Sequence, residues 1–231
     1  MDFEWFPRFA GLIASGLFVT VQLTLIAGIL GFALAVFVAL GSLSRNAIIS
    51  AMFTVYMTVI RGTPLLVQLY ILYYGVGSIL ASSPWIRHSF VWPLLRDGFW
   101  YAVAALTISV GAYAGEILRE GLRAVPRGEL EAARALGMSQ WKIVKRIWLP
   151  RAVIAQLPVL AGSSVILLKS TALASTITVI DVLGAVNLVR ADTYRTYEPL
   201  LVAAAIYLVL TFAIEWAFRK FEDRIPAKKA L

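Results

Sequence analysis

Hydrophobic positions in this chain come in long unbroken runs rather than in the short periodic patterns of a water-soluble domain. No Asp, Glu, Lys or Arg occurs from Phe9 to Ser44, from Gly62 to Ile86, from Gly98 to Gly115, or from Pro199 to Ile214. Each run approaches or exceeds the roughly 20 residues that carry a helix across a hydrocarbon core about 30 Å thick. A further run, Ala152 to Leu168, is slightly shorter and ends at Lys169. Backbone amides in lipid must be satisfied within their own segment, which helices do. The runs therefore predict an all-α, polytopic transmembrane chain with five spans, near 17–41, 51–76, 99–121, 152–174 and 198–218, forming one domain over 1–231. The first run is long enough for an extra interfacial turn or short helix.

Composition agrees with this reading. A chain of 231 residues that is 60% hydrophobic and 15% charged, with mean hydropathy +0.81, is not an ordinary soluble domain. Asp2 and Glu4 stand where a cleavable signal peptide would be basic, so none is expected. The absence of cysteine excludes thiol ligation, thiol catalysis and disulfides. The net charge of +8 concentrates at Arg45, between Arg119 and Arg151, and between Arg219 and Lys229. Five spans put these three places on one side of the membrane. The positive-inside rule makes that side the cytoplasm, with the N-terminus outside and the C-terminus inside. The opposite loops are mixed in sign, with Arg87, His88, Arg96 and Asp97 in one, and Arg190, Asp192, Arg195 and Glu198 in the other. The basic excess is thus a topology signal and implies no nucleic-acid partner. Trp85, Trp92 and Trp100 mark an interfacial belt, and the tail PAKKAL reads as a solvated basic end near anionic head groups. The short loop Gly41 to Asn46 offers nothing chemical.

One polar island interrupts the apolar chain, from Glu131 to Pro150 within a loop over 125–150. Pro126-Arg127-Gly128 breaks the preceding helix. Glu129 and Glu131 then sit in the first turn of a new helix, where negative charge complements the macrodipole. Ala132, Ala133, Ala135 and Leu136 continue it, and Gly137 is placed to end it in a left-handed residue. Ser139 is an N-cap candidate for a second short helix. There Trp141, Ile143, Val144, Ile147 and Trp148 form an apolar stripe opposite Lys142, Lys145 and Arg146, and Pro150 closes it. A helix, sharp turn, helix element of this kind either lies on the lipid surface or docks into a protein groove.

Charges inside the spans call for partners. Arg61 falls near mid-membrane, Glu116 towards the inner part of the third span and Lys169 towards the outer part of the fourth. A charged residue at a span's centre costs roughly 2.5–3.5 kcal/mol on insertion scales and usually faces an interior or cavity. Two readings stay open. Arg61 and Glu116 neutralise each other while Lys169 snorkels outward, or these residues contact a zwitterionic substrate, with Thr63, Gln68, Ser170 and Thr171 adding neutral hydrogen bonds. Gly62-Thr63-Pro64 is likewise either a simple proline kink or a break that lines a pathway. No His, Asp or Glu cluster has metal-ligand spacing, and no GxxxxGK[ST] run is present to bind ATP. No catalytic residue, metal or cofactor is therefore assigned to this chain.

The spacing Glu131-Ala132-Ala133, three residues, Gly137, nine residues, Ile147, one residue, Leu149-Pro150 resembles the EAA loop of permease subunits in binding-protein-dependent ABC importers. Arg61-Gly62-Thr63-Pro64-Leu65-Leu66-Val67-Gln68, the stretch Ala112 to Ile117, and Leu168 to Ser175 are similar to the second, third and fourth spans of the polar amino-acid permeases. Glu129 stands where many members carry Gln, although Glu is known there in permeases for basic amino acids. The resemblance implies a type I ABC importer transmembrane fold in a bacterial inner membrane. It also implies that the Gly137 turn and the helix before it insert into a groove of a cytoplasmic ABC ATPase dimer, which uses the ATP and magnesium. A second permease subunit, identical or homologous, and a soluble substrate-binding protein complete the implied assembly. The implied cargo is an arginine, histidine, lysine or opine type of substrate. Glutamine, glutamate, cystine or a zwitterion such as ectoine are alternatives within the class. A secondary transporter or channel, or a non-transporting scaffold, are alternatives outside it, but the inverted repeats of many transporters are not visible here.

Overall fold

Uncharged runs become helices here, and the breaks between them fall where proline, glycine or a capping side chain dictates. The computed structural model describes residues 4–224; Asp2 and the PAKKAL tail lie outside the described residues. The first helix, α1 (Phe6–Ser42), spans 37 residues with Pro7 in its first turn, a position that proline favours. The expected extra turn is thus the N-terminal continuation of α1 itself.

The second crossing is split into α2 (Ala47–Gly62) and α3 (Leu65–Ser82), and α3 contains a wide π turn at Ile71–Val76. This corrects the single span expected over 51–76. Thr63 and Pro64 both leave the helix for extended conformations, with φ −113°, ψ 144° and φ −63°, ψ 132°. Proline disfavours the helical region for the residue before it, so the chain opens at Thr63 rather than bending. The two halves climb the same neighbour, α4 (Gly98–Ala124). The Tyr56 hydroxyl donates to the Ile108 carbonyl at 2.7 Å, Leu65 and Leu69 pack near Ala102 and Leu106, and Gly77 faces Tyr101. They are one crossing with a gap in it.

Helix α4 lies at the centre. Leu118 and Leu122 join Ala35 and Ala39 of α1 in one core cluster, and Leu106 joins Leu23, Ala27 and Leu167 in another. Small residues bring α1 and α4 close, as expected for helices that associate within lipid. A Cβ added at Gly31 would lie 2.5 Å from the Val110 Cβ.

After α4 come α5 (Arg127–Ala135) and α6 (Gln140–Ile177), the latter ending in a 3₁₀ stretch, Thr171–Ile177. Pro150 was expected to end a short helix, but α6 runs through it. A π turn at Val144–Trp148 lies just ahead of the proline. The wider i to i+5 turn makes room for a ring that would otherwise clash with the preceding turn. The last helix, α8 (Tyr197–Asp223), returns across the membrane thickness. Between α6 and α8 lies α7 (Val182–Thr193), an unexpected helix inside the segment 176–197 that was read as a loop.

A buried carboxylate anchors α7. Asp181 is fully buried. One oxygen accepts from the Gly184 N–H at 2.9 Å, capping the helix, and the other accepts from the Tyr207 hydroxyl of α8 at 3.0 Å. Thr20 of α1 accepts from the Val182 N–H at 3.1 Å, and Gly16 packs so closely that a Cβ there would sit 2.6 Å from the Asp181 carbonyl oxygen. Three helices meet at one satisfied acid. Asp181→Ala removes the cap on the Gly184 N–H and the bond to Tyr207, both partly buried, at a cost of roughly 1 kcal/mol each, whereas Asp181→Asn keeps an acceptor. Thermal unfolding of the purified chain is expected to drop markedly for the alanine variant and less for the asparagine variant. Equal unfolding temperatures for all three proteins would contradict the anchoring role.

Candidate functional site

Two groups of predicted residues come together in the fold, one in the α5–α6 hairpin and one along a face of α4. The first helix of the hairpin and its glycine turn are built as the sequence suggests, except that Glu131 lies beyond the first turn. Glu129 lies in the first turn of α5 and Arg134 in its last, matching the helix dipole. Gly137 has φ +75°. Its N–H donates to the Arg134 carbonyl at 2.9 Å, and the Met138 N–H reaches back to Ala133 at 3.1 Å. A left-handed residue is cheap only for glycine, so the turn depends on this position. Ser139 holds the N-cap position of α6 in an extended conformation but makes no side-chain cap bond.

The hairpin residues divide by exposure. Ala133 is buried, Ile147 and Leu149 are half-buried, and Glu131, Ala132, Gly137 and Pro150 are exposed. Ala132, Ala133, Ile147 and Pro150 border one concavity between α5 and the start of α6. The expected apolar stripe is split. Ile143 is fully buried and the Trp148 indole N–H donates to the Leu122 carbonyl of α4 at 2.7 Å, while Trp141 is 70% exposed. A four-residue helix ahead of the π turn rotates Trp141 away from the packed face. Glu129 pairs with Arg151 Nε at 3.1 Å and so ties the start of α5 to α6. Both side chains are substantially exposed, which makes this a positional tie more than an energetic one.

On α4, the expected Arg61–Glu116 pair is present, with Arg61 Nη1 3.3 Å from Glu116 Oε2. The other Glu116 oxygen lies 3.5 Å from Arg119, which reaches Glu120, and Glu120 in turn binds Arg123 at 3.0 Å. The ion pairs form a ladder of alternating sign towards the basic end of α4. The Arg61 guanidinium also sits over the Tyr113 ring, 5.8 Å from its centroid, and the Tyr113 hydroxyl donates to the Arg61 carbonyl at 3.4 Å.

The neutral residues fall in several places. Gln68 Nε2 donates to the carbonyls of Ile60 and Thr63 and to the Thr63 hydroxyl at 2.8–3.1 Å, and the Thr63 hydroxyl donates to Val59 at 2.9 Å. These two side chains satisfy the backbone opened by Pro64. Gln68 Oε1 is buried without a hydrogen-bond partner. Ser170 borders a cavity of about 120 Å³ with Leu65, Ser109, Tyr113 and Ser163. Thr171 is fully buried and bonded to the Leu168 carbonyl, so it faces the core. Lys169 is exposed and makes no ion pair among the described residues. Ser109, Tyr113 and Ser163 were missed from sequence. The first two carried a signal, since positions 109, 113, 116, 120 and 123 repeat at helical spacing and place Ser, Tyr, Glu, Glu and Arg on one face.

Comparison with known proteins fits this arrangement. The family described as binding-protein-dependent transport system inner membrane component matches residues 29–226. The octopine transport system permease protein OccM of Rhizobium radiobacter is 42% identical over 210 residues, 91% of this chain and 84% of that one. The histidine/lysine/arginine/ornithine transport system permease protein HisM of Escherichia coli (strain K12) is 35% identical, covering 91% of this chain and 87% of its own. A crystal structure of an amino acid ABC transporter with histidines superposes with a TM-score of 0.81 at 34% identity, over 97% of this chain and 99% of that one. The chain therefore belongs to the inner membrane components of binding-protein-dependent transport systems and is a permease subunit of an ABC importer.

Proposed function

We propose that this permease imports a cationic amino acid or opine across a bacterial inner membrane, with Glu116 and Arg61 as the groups that read its charges. The observation that carries the proposal is the Arg61–Glu116 pair, at 3.3 Å with Arg61 exposed and Glu116 half-buried; Tyr113, which touches Arg61, also borders a small, mainly apolar cavity into which Ser109, Ser163 and Ser170 bring hydroxyls. A substrate with a cationic side chain and a carboxylate meets this pair by exchanging partners. Its cation replaces Arg61 at Glu116, and the released guanidinium takes the carboxylate in a bidentate contact. No charge is left unpaired in a low-dielectric site during the exchange, which avoids the large cost of an isolated buried ion. The names of the relatives, which include octopine and histidine/lysine/arginine/ornithine permeases, support the same substrate class. Lys169 stands as a further anionic-group partner, with Thr63 and Gln68 shaping the gap in the second crossing.

Among the described residues, five helices are long and apolar enough to span a membrane, too few to enclose a pathway alone, so a second permease subunit completes it. The basic side, with Arg45, the hairpin and the end of α8, is the cytoplasm by the positive-inside rule. A cytoplasmic ATPase pair docks there on α5 and the Gly137 turn, with Glu131 and small Ala132 exposed for contact and Ala133, Ile147, Leu149 and Pro150 holding the hairpin's shape. ATP binding and hydrolysis belong to that partner, and a soluble binding protein delivers substrate to the opposite loops. Docking motion passes through α6, which runs unbroken in sequence from Gln140 to the Ser170 region.

Two outcomes test this reading. In proteoliposomes holding the full transporter and its binding protein, Glu116→Gln is expected to reduce arginine uptake by at least about tenfold, the scale of one lost charged contact. Retention of the ATPase should not change. Unaltered rate and selectivity would contradict the exchange mechanism. Separately, Gly137→Val forces a β-branched residue into the left-handed region at a cost of roughly 1–2 kcal/mol. Hydrogen exchange at 134–140 should quicken and ATP-driven uptake should fall together, and normal uptake with a disordered turn would contradict the docking role of the hairpin.

A further inference from the structure

The turn between α1 and α2, which sequence reading left without a role, faces an open cavity of about 940 Å³ beside the α5–α6 hairpin. Arg45 of the turn and Arg127 and Arg134 of α5 line it, together with Glu131, Leu43 and Trp141. Spacing gives Glu131 two candidate partners on its own helix, Arg127 four residues before and Arg134 three after. Neither is used. Among the described residues, no ion pair involves Arg45, Arg127, Arg134 or Glu131. Nearby arginines behave differently, since Arg119, Arg123 and Arg151 each hold a carboxylate. Three arginines against one glutamate leave two uncompensated positive charges around the cavity.

Arg45 is delivered by a stiff turn. The Asn46 side chain accepts from the Ile48 and Ile49 N–H groups at 2.9 and 3.4 Å, and the Asn46 N–H donates to the Ser44 hydroxyl at 3.2 Å. The Ser50 hydroxyl closes the turn on the Ser42 carbonyl at 2.7 Å, and Ser42 itself is buried. The backbone at Arg45 is therefore set by α1 and α2.

We infer that Arg45 is a second ATPase contact, outside the coupling hairpin, and that the ATPase presents an acidic segment to the cavity framed by Arg45, Arg127 and Arg134. The inference rests on the reading that α5 docks on the ATPase, and it adds the chemistry that the partner must carry. Guanidinium groups favour carboxylates through bidentate bonds, and complementary charge steers and orients docking. The mixed lining favours a protein over a lipid head group, because Glu131 repels a phosphate. Glu131, Leu43 and Trp141 instead offer a cation site and an apolar ledge that side chains fill. Helix α2 begins two residues after Arg45 and ends beside Arg61. Docking then reaches the pathway twice, through α6 to Ser170 and through α2 to Arg61.

The test uses the complete transporter with a tagged ATPase. Arg45→Glu is expected to lower the permease retained on the ATPase by about tenfold at physiological salt, the scale of one reversed interfacial charge. Retention that keeps the wild-type level and salt dependence would overturn the second contact. Gly137→Arg is the reference variant. If it too retains the ATPase, the hairpin docking itself fails; if it alone loses the ATPase, only Arg45 is excluded. Should Arg45→Glu not fold, Arg45→Lys carries the test. Carbodiimide treatment of that variant is expected to join position 45 to an aspartate or glutamate of the ATPase, identified by mass spectrometry, and an assembled complex without that link overturns the inference. Native mass spectrometry from phosphatidylglycerol nanodiscs provides the last arm. Loss of bound phosphatidylglycerol in Arg45→Glu, with ATPase retention intact, would assign the cavity to lipid and overturn the proposal.

Discussion

Within hydrocarbon, a helix cannot open without finding new partners for the backbone groups it frees, and this rule places most of the polar side chains inside the molecule. The chain opens its crossings in two places. At Thr63–Pro64 the freed carbonyls are met by Gln68 and the Thr63 hydroxyl. At 178–181, beyond the 3₁₀ end of α6, Asp181 and Thr20 supply the acceptors and Tyr207 completes the acid's own shell. Both gaps are therefore stable features with defined geometry. The first lies beside Arg61 and the second carries α7.

The same economy governs charge. Arg61, Glu116, Arg119, Glu120 and Arg123 share their partners along one side of α4, so the cost of placing ions within a span is offset pair by pair. In the proposed mechanism an incoming zwitterion exchanges partners with this ladder, so that no ion is stranded. The ladder also leads towards the hairpin, whose anchor Trp148 bonds to the Leu122 carbonyl of that same helix. The ion-pair ladder and the hairpin are thus joined at the basic end of α4.

Much of this was legible in the sequence, for physical reasons. Long uncharged runs have one stable outcome in lipid, which makes the number of crossings readable, whereas the central place of α4 emerges only from packing. Gly137 could be identified as a turn because few other residues tolerate its φ. The Arg61–Glu116 pair was one of two readings that the cost of an unpaired charge left open. What escaped was decided by tertiary contacts. The twelve residues of α7 are too short to register as a span, and their stability comes from Asp181 and neighbouring helices. Pro150 reads as a stop in isolation, yet the π turn before it absorbs the ring. Thr171 and Ser170 are adjacent in sequence but face different ways, into the core and onto the cavity shared with Tyr113, and no local signal separates them. Arg45 lacked motif context altogether, and only the cavity beside α5 gives it a role.

In the proposed mechanism, α6 carries motion as one body from the hairpin to the face that holds Ser170. Spin labels introduced at Lys142→Cys and Ile166→Cys, in a chain otherwise free of cysteine, are separated by 24 residues of α6, or roughly 36 Å at 1.5 Å per residue. Pulsed electron spin resonance on the assembled transporter should give one narrow distance distribution, unchanged between the nucleotide-free and ATP-bound states. A shifted or second population on ATP binding would place a hinge between the labels, at the π turn or at Pro158, and contradict transmission through a rigid α6.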